Sequence, residues 1–129
     1  MRQTVFLVSL LLIGLGSIYA QQKEIFLKQI EFKLDQVSDQ DYENEYFMTI
    51  KLNKGTSYKF RISNHRDNYA GKAVFELLDA DNLLLTNSVG DKYYETFGFV
   101  CNKTAFYDIL IKYQDKKPGF SVLDITMLQ

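Results

Sequence analysis

Apolar and polar residues alternate with a period of two in segment after segment of this chain, and no stretch holds the 3.6-residue period long enough to make a helix. Ile30, Phe32 and Leu34 fall on one face of a strand predicted over residues 24–34, with Glu31 and Lys33 on the other. The same parity returns at Tyr46, Met48, Ile50 and Leu52, at Tyr58, Phe60 and Ile62, at Ala73, Phe75 and Leu77, and at Tyr107, Ile109, Ile111 and Tyr113. A chain patterned in this way buries its apolar side chains only by stacking one sheet face on another. About eight short strands with turn signals between them predict an all-β, antiparallel β-sandwich of jelly-roll type following an N-terminal signal helix, a closed barrel being the alternative.

The punctuation between strands is specific enough to predict connections. Asn53-Lys54-Gly55 predicts a hairpin joining strands 46–52 and 58–62, because glycine takes the positive φ of a three-residue loop. Asp79-Ala80-Asp81-Asn82 predicts a turn, residues 63–72 a long polar loop, and residues 92–101 one continuous strand. Asn102-Lys103-Thr104 predicts a second hairpin turn and spells a glycosylation acceptor. The last strand is predicted over residues 120–128.

The first twenty residues follow a different logic. Arg2, an apolar run from Val5 to Leu15, and Ser17-Ile18-Tyr19-Ala20 have the order of a secretory signal peptide. The run is shorter than the ~20 apolar residues that span a bilayer. The expected organisation is a signal peptide over residues 1–20 and one domain over 21–129, exported to the periplasm or the cell surface, with no membrane span after cleavage. No cysteine follows Ala20, which disfavours a lipid-modified N-terminus.

Fourteen basic and sixteen acidic residues would remain, a balance that lacks the excess of positive charge nucleic-acid binding requires. Cys101 is the only cysteine, so no intramolecular disulfide can form and packing alone must hold the domain together. The parity of Phe97 and Phe99 predicts a buried thiol there rather than a reactive one. A free thiol in an exported chain suits a bacterial envelope.

The turn and strand Leu52-Asn53-Lys54-Gly55-Thr56-Ser57-Tyr58-Lys59-Phe60, the segment Phe75-Glu76-Leu77-Leu78-Asp79, and Lys103-Thr104-Ala105-Phe106-Tyr107-Asp108-Ile109 together resemble the bacterial pre-peptidase C-terminal type of β-sandwich. Ala105 stands where that family usually has glycine. The resemblance covers about the last eighty residues and implies a small jelly-roll-like module that binds or stabilises and does not catalyse. It also extends to small exported envelope proteins without an assigned activity.

Catalytic and metal chemistries find little support. His65-Arg66-Asp67 copies three letters of a kinase loop without the rest of that motif. His65 is the only histidine, so a multi-histidine metal site is excluded and a hydrolytic triad would lack its glycine elbow. Asp79, Asp81 and Asn82 begin a calcium-loop pattern that Leu83 and Gly90 break at the fifth and twelfth positions. The acidic stretch Asp39 to Glu45 reads as a solvated connection. No metal or cofactor is expected.

Binding residues are sought instead on loops and among outward aromatics. The loop that holds His65, Arg66 and Tyr69 gathers donors, acceptors and a ring. Adjacent aromatics at Tyr46-Phe47, Tyr93-Tyr94 and Phe106-Tyr107 force one ring of each pair off the core face of a regular strand. The expected ligand site is therefore His65, Arg66, Tyr69 and Tyr94. The expected function is a non-catalytic exported binding module for a glycan or an envelope protein, with a structural subunit of an envelope assembly as the alternative and a small hydrolase or metal enzyme as a remote one.

Overall fold

The computed structural model describes residues 23–65 and 69–129; the signal-peptide reading of residues 1–20 and the position of Arg66 lie outside them. Ten strands follow one another: β1 (Glu24–Leu34), β2 (Tyr46–Leu52), β3 (Ser57–Asn64), β4 (Ala73–Asp79), β5 (Asn82–Thr86), β6 (Ser88–Val89), β7 (Lys92–Tyr93), β8 (Thr96–Val100), β9 (Ala105–Tyr113) and β10 (Gly119–Leu128). Short 3₁₀ turns occupy Asp41–Asn44 and Gln114–Lys116. Eight strands form two four-stranded antiparallel sheets, ordered β1-β10-β3-β8 and β2-β9-β4-β5, and β6 and β7 form a small ribbon of their own. That order is the jelly roll: apart from the β4–β5 pair and the ribbon, successive strands switch sheets, and the first and last strands lie side by side.

The alternation places the core as the parity predicts. Leu52, Phe60, Phe75, Leu77, Ile109, Leu123 and Ile125 are fully buried between the sheets. Phe60, Phe75 and Phe97 pack as a triplet with ring centroids 5.0–5.8 Å apart, two pairs tilted and the Phe60–Phe97 pair stacked. Cys101 is buried, as its parity predicts. Phe47, Tyr94 and Phe106 are the outward members of the adjacent aromatic pairs.

Two expected hairpins are arches instead. β2 pairs with β9 and β3 with β10 and β8, so residues 53–56 cross from one sheet to the other. Residues 101–104 do the same between β8 and β9. A hairpin keeps both strands in one sheet, whereas an arch stacks them face to face, and both need the same turn residues between alternating strands. The two arches pair with each other: Gly55 N donates to the Cys101 carbonyl at 2.8 Å and Cys101 N to the Thr56 carbonyl at 3.0 Å. The tight hairpins are β4–β5, where Asp79 faces Asn82 and Ala80 takes φ 55°, and β6–β7, where Val89 faces Lys92. The strand expected over residues 92–101 is interrupted at Tyr94 and Glu95, where the ribbon gives way to β8.

All strand ends sort to two ends of the sandwich. One carries the arches 53–56 and 101–104, the turn 80–81 and the outer ends of β1 and β10. The other carries residues 35–45, 65, 69–72, 87–95 and 114–118, all in the longer connections. Buried tyrosines of β9 brace both: Tyr107 OH donates to the Lys103 carbonyl at the turn end, and Tyr113 OH to the Phe32 carbonyl at 2.6 Å at the loop end. A Cβ at Gly119 would lie 2.3 Å from the Tyr113 ring, so only glycine lets that ring lie against β10.

Candidate functional site

Long connections expose backbone groups that no sheet satisfies, and here asparagine side chains satisfy several of them. Asn87, 2% exposed, accepts from Phe75 N at 2.7 Å and donates to the Ala73 carbonyl at 3.0 Å. Asn64 accepts from Ala73 N at 3.1 Å and from Ser121 Oγ at 2.8 Å. Asn44 accepts from Ser38 N at 2.7 Å and donates to the Ser38 carbonyl at 2.8 Å. These contacts fix the bases of three connections.

On that base stands an aromatic and charged cluster centred on Phe120. Ser121, Leu123 and Ile125 are buried, so the alternation of β10 turns Phe120 to the outer face, where it is in register with Lys33 of β1. The His65 ring stacks on Phe120 with centroids 4.4 Å apart, and Tyr69 meets it edge-on at 6.0 Å. His65 N donates to the Phe120 carbonyl at 2.8 Å, which holds the loop against β10. Lys33 Nζ lies 5.7 Å from the Phe120 centroid and 5.8 Å from that of Tyr69, both within cation–π range. Tyr69 OH donates to Asp35 Oδ1 at 2.6 Å. The Tyr69 phenol and, after it, the Asp35 carboxylate hold the Lys33 ammonium above its ordinary value, so Lys33 stays charged throughout the neutral range.

A polar cleft of about 430 Å³ opens beside this cluster, between the end of β3 and the ribbon. Ser63, Asn64, Lys72, Tyr93, Tyr94 and Glu95 give it its character. Lys72 Nζ lies 5.4 Å from the Tyr93 centroid, and Ser63 Oγ donates to Glu95 Oε2 at 3.3 Å. Tyr94 is half-exposed on the rim, its backbone N donating to the Asn87 carbonyl at 2.8 Å.

Of the residues singled out in the sequence, His65 and Tyr69 therefore come together on Phe120, whereas Tyr94 belongs to the cleft. Lys33, Asp35 and Phe120 were not singled out. Phe120 carried a signal, since the parity of Leu123 and Ile125 turns it outward; Lys33 and Asp35 reach the cluster only through the β1–β10 pairing. Among the described residues, no group of three or more His, Cys, Asp and Glu side chains is placed to hold a metal ion. No helix among them is long and apolar enough to cross a membrane. The arrangement offers flat rings, one firmly charged ammonium and oriented polar groups, which is the chemistry of contact and recognition.

No protein-family model matches the chain. No curated protein matches it either. Among solved structures, the crystal structure of Aeromonas hydrophila PliG, a periplasmic lysozyme inhibitor of g-type lysozyme, aligns with a TM-score of 0.51 and 11% identity, over 82% of this chain and 85% of that one. What the two chains share is the fold.

Proposed function

We propose that this chain is a non-catalytic exported binding protein whose loop end grips a protein ligand. The observation that carries the reading is the Phe120 cluster, in which three rings and a cation are held by the register of β1 and β10, by the His65 N to Phe120 carbonyl bond and by the Tyr69 OH to Asp35 bond. Rigid aromatic side chains with a polar tip give contact area at low conformational cost, and binding energy concentrates on such anchors. Likeness of fold to a periplasmic lysozyme inhibitor lends support in kind and makes a g-type lysozyme the first ligand to try. The secretory signal read from residues 1–20 agrees with a target outside the cytoplasm. The polar cleft at Tyr94 favours a second reading, a glycan ligand.

Biolayer interferometry of the purified protein against lysozymes of several types and against chitin and peptidoglycan fragments separates the two. Saturable binding of a lysozyme, weakened tenfold or more by Tyr69→Ala, is the expected result. Saccharide binding lost in Tyr94→Ala would favour the glycan. Binding to neither would overturn both.

A further inference from the structure

The two sheets have four outer edges, and three are guarded. β1 breaks register between Phe26 and Lys28, and Lys28 faces Ile125, a core residue, so a cation stands at an inward position of that edge. The pairing of β4 with β5 shifts register at Leu77/Leu78. β8 is five residues long. Bulges, inward charges and shortness are how a sheet edge avoids pairing with another chain. β2 has none of these: its seven residues pair with β9 without a shift, from Tyr46 opposite Ile111 to Leu52 opposite Ala105.

We propose that the free edge of β2 pairs antiparallel with β2 of a second copy of this chain, on a twofold axis through Thr49. The argument for a second copy is that the outward row of this strand, Phe47-x-Thr49-x-Lys51, complements itself when reversed. Phe47 then stands opposite Lys51 of the second copy, Thr49 opposite Thr49, and the half-buried Met48 opposite Ile50. Across β2 and β9, Lys51 is already in register with Phe106 and Phe47 with Leu110. The joined sheet therefore sets each Lys51 between Phe106 of its own chain and Phe47 of the second, an arrangement in which two rings flank one ammonium. It also gives a cross-strand neighbour to Phe47, a phenyl ring that is 61% exposed in the single chain. Thr49 Oγ1 donates to Asp108 Oδ1 at 3.2 Å, so the carboxylate nearest the axis already has a hydrogen-bond partner in its own chain. The antiparallel pairing sends the two loop ends in opposite directions, so this surface is independent of the ligand reading above.

Sedimentation velocity across a wide concentration range tests it on the purified protein. The expected result is a reversible dimer of twice the chain mass. Phe47→Lys sets two ammonium groups opposite each other and is expected to weaken the dimer at least tenfold, whereas Phe47→Lys combined with Lys51→Glu restores it through an ion pair. Because Phe47 is exposed, these variants keep the wild-type circular dichroism spectrum. Thr49→Cys supplies an independent readout: the twofold axis brings the two new thiols together, so it oxidises to a covalent dimer, and Phe47→Cys, facing Lys51, does not. A protein that stays monomeric at all concentrations, a dimer indifferent to Phe47→Lys, a double variant that does not re-form the dimer, or equal cross-linking of both cysteine variants would overturn the proposal. Capture of a different extended chain on β2 by a protein that remains monomeric would overturn it as well.

Discussion

Both ends of the sandwich are tied by backbone bonds, and the loop end adds asparagine side chains beneath its connections. At the turn end, the arches 53–56 and 101–104 bond backbone to backbone, and Lys54 N finds Thr104 Oγ1 at 2.8 Å. At the loop end, longer connections rest on the side chains of Asn44, Asn64 and Asn87. The arches are short and leave little surface to vary. Side-chain closure at the base of a loop fixes the loop while freeing its outer residues, and the Phe120 cluster and the polar cleft both sit above such a base. A scaffold that separates these two tasks can vary its outer loop residues without disturbing its core.

The comparison breaks most visibly at Asn87. Asn87→Ala orphans Phe75 N and the Ala73 carbonyl, both buried, and is expected to cost about 2–4 kcal/mol, measured by urea unfolding. Thr104→Val at the turn end removes an exposed acceptor whose donor can turn to water, so a loss below about 1 kcal/mol is expected. Equal losses would mean that the two ends depend on side chains alike.

A second contrast lies along β9, where Tyr107 braces the turn end and Tyr113 the loop end. The bond with Cys101 and then burial push the Tyr107 phenol up to about 12. Burial pushes Tyr113 up to about 12. Unfolded tyrosines ionise near 10, so between about pH 10 and 12 the unfolded state releases protons that the folded state keeps, and stability falls as pH rises. Below pH 10 these two groups contribute no slope. Urea titrations from pH 8 to 12 are expected to show this loss, and Tyr107→Phe and Tyr113→Phe each to flatten it in part.

Much of this fold is legible in the residues. Parity alone places Phe60, Phe75, Ile109 and Leu123 in the core and Phe47 and Phe106 outside it. What parity does not carry is the sheet to which a strand belongs: Asn53-Lys54-Gly55 serves an arch as well as a hairpin, and the choice depends on the partners β9 and β10, which lie far along the chain. The same long range hides Lys33 and Asp35 from any local reading of the loop that holds His65 and Tyr69. Asn64 and Asn87 look like ordinary loop polarity until their hydrogen-bond partners, backbone groups of β4, are seen in place.

Smaller effects sharpen the contrast. Tyr69 and Lys33 are held mostly by contacts at the surface, so Tyr69→Ala and Lys33→Ala are each expected to change unfolding free energy by less than about 1 kcal/mol. A larger loss in either would make the cluster a part of the fold rather than a surface upon it.

The most direct test pairs the two ends in one binding experiment. With a g-type lysozyme as the probe, affinity is measured for the wild type, for Lys33→Ala with Tyr69→Ala at the loop end, and for Lys54→Ala at the turn end. The expected result is a tenfold or greater loss in the first variant and wild-type affinity in the second. Undiminished binding by the loop-end variant, or a loss confined to the turn-end one, would contradict the assignment of recognition to the loop end.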